Sequence, residues 1–198
     1  TADWQIGRQY SNFAPDDSVA LAEARITVIG RIADLAKEHE VDAVLVAGDV
    51  CDAQTVSDRT IRRLFNAMAA YSGPWILIPG NHDDRQHLRA AFPDHPYLFQ
   101  HHDYLQWVVN DFPVRILGLD SSVPGKPHGV LSDESLQWLD TTLAEEPAKP
   151  TLVMVHHHPF ISGIDHMDRQ PLLNPNAFPE VISQHAQVER VLCGHLHR

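Results

Sequence analysis

Fourteen of the 198 residues are histidine, almost as many as the fifteen lysines and arginines together. Several stand in short polar clusters. In chain order these are Asp3-Trp4-Gln5, Gly48-Asp49, Gly80-Asn81-His82-Asp83, His156-His157-His158 and Gly194-His195-Leu196-His197. A single Gly-Asp is ordinarily a turn, and a single Asn-His ordinarily lies at the surface. Five clusters in succession, each supplying Asp, Asn or His, describe a metal site. Carboxylate, amide oxygen and neutral imidazole suit Mn, Fe, Co, Ni or Zn, and the lack of grouped thiolates argues against structural zinc. The donors outnumber what one ion uses. Two ions about 3.5–4 Å apart on a shared carboxylate would use them well. Glycine beside the donors lets the backbone approach the ions closely. No Gly-x4-Gly-Lys-Ser/Thr stretch is present, which argues against triphosphate hydrolysis on a loop of that type.

Donors of this kind need strand ends to present them, and the apolar pattern supplies those. Short apolar runs at Val41 to Ala47, Trp75 to Ile78, Val114 to Leu119, Thr151 to Val155 and Val188 to Leu192 read as strands. Four of the five run directly into a polar cluster. Helical patterns alternate with them. One covers Val19 to Glu40, with Leu21, Val28, Ile32 and Leu35 at helical spacing. Another covers Val56 to Tyr71, with Ile61, Leu64, Phe65 and Met68 on one face. A third is capped by Ser132 or Asp133 and repeats Leu136, Leu139 and Leu143, and a short fourth covers Phe178 to Ala186. Alternating strands and helices give an α/β domain, whose ligands bind where the C-terminal strand ends converge. The Pro-, Asn- and Gly-rich stretch from Phe160 to Pro179 is long enough to be a functional lid.

Composition narrows the function. The net charge of −11 argues against a general binder of nucleic-acid backbone, although bound cations reverse the local field. A hydrophobic fraction of 43% supports a full core. No apolar run reaches the ~18–20 residues that cross a bilayer, so no membrane partner is expected. Cys51 and Cys193 are too few for a disulfide scaffold and read as buried thiols in a reducing, cytoplasmic setting. Arg59, Arg62 and Arg63 read as a solvated helix face, His101-His102-Asp103 as a surface loop, and Trp107 and Trp138 as core aromatics.

In their order, Asp-x-(His), Gly-Asp, Gly-Asn-His-Asp, His and Gly-His-x-His, the clusters resemble the calcineurin-like binuclear metallophosphoesterases over essentially the whole chain. The second half is similar to class III cyclic nucleotide phosphodiesterases and glycerophosphodiesterases. The matching stretches are Leu119-Asp120-Ser121-Ser122, Pro124-Gly125, His128-Gly129, His156-His157-His158-Pro159, Gly163 with Met167-Asp168, Asn174, and Val191 to Arg198. Ala2 to Gly7, with Ala47-Gly48-Asp49-Val50, resembles nuclease subunits of double-strand-break repair complexes instead.

The resemblance implies an αββα sandwich of two mixed β-sheets flanked by helices. Residues 1–198 would form one catalytic domain, clipped at both ends, with native residues expected beyond Thr1 and Arg198. It implies that Asp3 and His197 bind a first metal, that Asp49 bridges, and that Asn81, His156 and His195 bind a second. Gln5 stands where the family usually has His. It either ligates through its carbonyl oxygen, giving a looser first site that favours Mn over Zn, or only hydrogen-bonds a metal-bound water. His157 and His158 fall outside the ligand set. His82 would stabilise the phosphate or protonate the leaving oxygen, and Asp83 would either orient it or cap a turn. The cofactors are then two divalent ions (Mn, Fe, Co or Zn, with Mn favoured), and a bridging hydroxide is the nucleophile. The expected substrate is a small phosphodiester of cyclic nucleotide or glycerophosphodiester type, with a homodimer allowed for. A manganese-dependent DNA nuclease is the alternative, and a non-catalytic metal-binding scaffold a third class. The sequence assigns no substrate-binding residue.

Overall fold

The computed structural model describes residues 1–52 and 56–197; Arg198, the last residue of the final motif, lies outside them. The chain order is α1 (Pro15–Glu38), β1 (Val44–Ala47), α2 (Asp58–Met68), β2 (Trp75–Ile78), α3 (Arg85–Ala91) and a 3-10 turn at Pro96–Phe99. Then come β3 (Trp107–Val109), β4 (Arg115–Leu119), β5 (Gly129–Val130), α4 (Asp133–Glu145) and β6 (Thr151–Val155). The order ends with β7 (Leu172–Leu173), α5 (Ala177–Ser183) and β8 (Val188–Cys193).

Strands β1 and β2 pair in parallel, and β3-β4-β6-β8 form a second sheet in which only the β3–β4 pair is antiparallel. Alternation across β4 and β6 sorts the core into two. Ile116 and Met154 join a cluster with Ile29 and Ala33 of α1, Leu64 of α2 and all of β2. Leu117, Leu119, Val153 and Val155 face the other way, onto Leu136, Leu139 and Leu143 of α4 and Phe178 of α5. Helix pair, sheet, sheet and helix pair thus stack in the order expected, and β2 is buried along its whole length between helices and second sheet.

The strand expectations hold to within three residues at either end, and Ser57 and Ser132 cap α2 and α4 with side-chain hydrogen bonds. The buried face of α1 differs from the one the spacing predicts. Ile29, Ala33 and Ala36 are buried, while Val28 and Leu35 remain exposed. Ile32 of the predicted face packs partly buried against the core, and the alanines let the helix come close to α2. Short elements (α3, β3, β5 and β7) carry too few residues to show a period. The Phe160 to Pro179 stretch is a fastened loop. The Asp168 carboxylate accepts the Ser162 N–H and hydroxyl and the Gly163 N–H, β7 pairs with β5, and Leu172 N–H donates to His158 O. Among the described residues, no helix is long and apolar enough to cross a membrane.

Candidate metal centre

Parallel pairing aligns the C-terminal ends of β1 with β2 and of β6 with β8, and the turn after each strand carries a donor. The segment carrying Asp3 and Gln5 joins them by backbone hydrogen bonds from Asp3 N to Gly48 O (3.0 Å), Gln5 N to Asp49 O (2.8 Å) and Ile6 N to Val50 O (2.9 Å). The turns are tight. Among the described non-glycine residues seven have positive φ, and five of them are Asp3, Gln5, Asp49, His195 and His197. Such conformations cost of order 1–3 kcal/mol each and persist where surrounding structure enforces them. Two glycines show the crowding: a Cβ on Gly80 would lie 2.0 Å from Asp49 Oδ1, and one on Gly48, at φ +89, would lie 2.4 Å from His156 Nδ1. These glycines bring backbone against the ligand side chains, so the strand ends can converge.

Three donor atoms gather around His156 Nε2. His156 Nε2 lies 3.2 Å from Asn81 Oδ1, 3.5 Å from Asp49 Oδ1 and 3.3 Å from His195 Nδ1. Donors around one ion at bond lengths of about 2.0–2.2 Å stand about 3–3.5 Å apart, so this set fits a divalent cation. The opposite ring nitrogens are occupied: His156 Nδ1–H donates to Ala47 O (2.8 Å) and His195 Nε2–H to Gln170 O (3.0 Å). Those carbonyls fix the tautomer and aim each ring. Burial also pulls His195 down to about 4, keeping it a neutral ligand at physiological pH. A second group joins Asp3, Asp49 and His156. Asp3 Oδ1 accepts His195 N–H (3.1 Å) and stands 3.5 Å from His197 Nε2, whose side chain is half exposed. Burial raises the pKa of Asp3, a tendency that a cation beside it would reverse. The residues present therefore fit two cations that share Asp49.

A sequence profile for calcineurin-like phosphoesterases matches residues 2–198. The chain belongs to that family. It is 37% identical over 158 residues to a probable glycerophosphodiester phosphodiesterase of Arcobacter nitrofigilis, covering 79% of this chain and 57% of that protein. It is 33% identical over 163 residues to the 3',5'-cyclic adenosine monophosphate phosphodiesterase of Escherichia coli K12, covering 81% and 56%. The chain thus spans little more than half the length of these relatives. A dimetal phosphatase from Danio rerio shares the fold with a TM-score of 0.74 at 17% identity, over 99% of this chain and 80% of that one.

In this calcineurin-like phosphoesterase the remaining predicted residues sort by their contacts. His82 is half exposed beside the ligands; its N–H donates to Asp49 Oδ1 (3.0 Å). Its ring is held from behind by Asp52, through Nδ1–H to Asp52 O (3.3 Å) with the Asp52 carboxylate at 3.7 Å. Asp52 was not singled out by sequence, although it lies three residues after Asp49 and, among the described residues, is the one acid that reaches the ring. Asp83, expected either to orient His82 or to cap a turn, takes the turn role: it is half-buried and accepts the N–H groups of Val50, Cys51 and Gly80. It pins the two turns that carry Asp49 and Asn81, and burial raises it to about 6. His157 is buried against Ser121 Oγ (2.8 Å), and burial beside His156 and His195 lowers it to about 2. His158 is buried 3.7 Å from Asp168. The Oε1 of Gln5 accepts hydrogen bonds from Arg8 and Arg25, so both of its lone pairs face guanidinium groups. Cys51 and Cys193 are free, and burial raises both thiols to about 12, leaving them unreactive.

Proposed function

We propose that the chain is a metal-dependent phosphodiesterase acting on a small diester of the cyclic nucleotide or glycerophosphodiester type. The observation that carries this reading is the gathering of Asp49, Asn81 and His195 around His156, beside a half-exposed His82 that Asp52 backs. Asp3, Asp49 and His197 would hold one divalent cation, and Asp49, Asn81, His156 and His195 the other, with manganese favoured by the oxygen-rich first set. When bound, the two cations supply Lewis acidity towards the phosphoryl oxygens and a lowered pKa for the attacking water. The protein's own part is positional and protonic. Asp49 fixes the spacing of the two sites. Asn81 and His82 stand together at the end of β2, and a proton on His82 Nε2 is delivered to the departing alkoxide while Asp52 holds Nδ1. The free, protonated thiols support a reducing compartment, which we take to be the cytoplasm.

The test is turnover of a chromogenic diester, a cyclic nucleotide, and single- and double-stranded DNA by Mn-loaded protein. Small diesters are expected to be hydrolysed and a chelator to stop the reaction. DNA cleavage without small-diester turnover would reverse the reading.

A further inference from the structure

The first motif runs into a turn. Arg8 N–H donates to Gln5 O (3.3 Å), and the Arg8 side chain folds back onto that of Gln5. Bonds from Gln5 N–H to Asp49 O (2.8 Å) and from Asp52 N–H to Ile6 O (3.0 Å) fasten this turn to the segment that carries Asp49 and Asp52. Arg25 reaches the same spot from α1. Both guanidinium groups donate to Gln5 Oε1, Arg25 at 3.4 Å, and both lie over the Tyr10 ring, with Cζ 6.0 Å and 5.7 Å from its centroid. Arg25 donates further to the Tyr10 hydroxyl and to Trp4 O (2.8 Å).

Two half-buried positive charges thus share one neutral amide oxygen. Among the described residues neither is paired with a carboxylate, and the other arginines that are not exposed are held differently. Arg63, Arg85 and Arg115 each meet a carboxylate, and Arg89 gives all its nitrogens to backbone carbonyls. An amide oxygen accepts hydrogen bonds but carries no charge, so the repulsion between the two guanidinium groups stands. Donors are also left over: Arg8 has only Nη1 engaged, and its Nε and Nη2 meet no acceptor among the described residues. Planar forks of donors with their charge unanswered match an oxyanion that accepts from both at once. In a chain of net charge −11 this pair is a local exception, and it stands beside the residues of the first cation position.

We propose that Arg8 and Arg25 form an oxyanion subsite next to the metal centre, and that its ligand is a phosphate group other than the one being hydrolysed. Resting on the phosphodiesterase reading, that group is either a second phosphate carried by the diester or a free phosphate bound alongside it.

The experiment is calorimetric titration of Mn-loaded protein with butyl phosphate and with the terminal bisphosphates of ethylene glycol, butanediol and hexanediol, which set a graded reach between two phosphates. The wild type should bind at least one bisphosphate about tenfold more tightly than butyl phosphate, the scale of a charge-assisted hydrogen bond. Arg8→Gln should reduce that advantage to within about twofold, the statistical factor for a ligand with two equivalent ends, while leaving butyl phosphate affinity and Mn content unchanged. Arg8→Glu should abolish it. If the bisphosphates show no advantage, but inorganic phosphate binds beside butyl phosphate in the wild type and not in Arg8→Gln, the subsite takes a free phosphate. A wild type with neither signal, or a bisphosphate advantage that survives in both variants, would overturn the subsite. Failure to turn over any diester would sink the phosphodiesterase reading alone, because the titrations decide the subsite without turnover.

Discussion

The two halves of the proposed metal centre are built differently. Around the second position His156, His195 and Asp49 are almost wholly buried, and both imidazoles are held from behind by backbone carbonyls, Ala47 O and Gln170 O. Around the first, the His197 side chain is 50% exposed, and among the described residues it is answered only by Asp3. Gln5 fills the remaining place with an amide oxygen turned to Arg8 and Arg25. A ligand whose ring is already aimed loses little freedom on binding, and outer hydrogen bonds of this kind are worth about 10–100-fold in metal affinity. The contrast therefore separates a pre-organised position, which should keep its ion, from a looser one, which should exchange it.

Removing the residue common to both halves should have the largest effect. Asp49→Ala is expected to cost on the order of 10³-fold or more in kcat, because the several kcal/mol of charge stabilisation supplied by a cation pair are lost together. Metal analysis of dialysed protein then resolves the halves. His156→Ala should strip the ion that survives dialysis, whereas His197→Ala should leave about one ion per chain. If both variants retained the same metal content, the asymmetry would be wrong.

An intermediate effect is expected at the proton donor. Asp52→Asn keeps the backbone carbonyl that His82 Nδ1–H reaches but removes the carboxylate 3.7 Å away. A decrease of about 10–100-fold in kcat, a part of the roughly 10²–10⁴-fold that proton transfer by a positioned side chain contributes, should appear with little change in metal content. Loss of metal in this variant would place Asp52 in the ligand shell and blur the division between cation and proton chemistry.

What the sequence could reveal follows the same division. Side-chain donors at strand ends are written as residue types, so Asp3, Asp49, Asn81, His156, His195 and His197 were all legible, as were the five strands beneath them. The features that tighten the second position were not. Ala47 O and Gln170 O are backbone atoms with no signature in residue type, and Gln170 reaches His195 only because the loop closed on Asp168 carries it there. Asp52 and Asp83 show the limit from the other side. Two acids flank the ligands at similar spacing, and only burial and hydrogen-bond direction decide which one turns to His82 and which holds the turns together. The face of α1 was misjudged for a related reason. Val28 and Leu35 satisfy the helical period as well as Ile29, Ala33 and Ala36 do, and close approach to α2 favours the smaller set, while Ile32 of the predicted face does pack against the core.

The smallest effect, and the sharpest on the loose half, is expected at Gln5. Its oxygen gathers Arg8 and Arg25, and Arg25 also reaches Trp4 O at 2.8 Å. If that is its whole task, Gln5→Ala removes a buried acceptor from two guanidinium groups. Stability should then fall by about 1.5–3 kcal/mol, the worth of hydrogen bonds to charged donors, read as a lower denaturant midpoint at unchanged slope. Affinity for the weaker ion should stay within about twofold. Gln5→His, in contrast, offers imidazole nitrogen in place of amide oxygen and should tighten that ion. A tenfold loss of the weaker ion in Gln5→Ala, with stability unchanged, would mean that the amide leaves the arginines for the metal. The two halves would then differ in the kind of donor they use, and not in how many donors they hold.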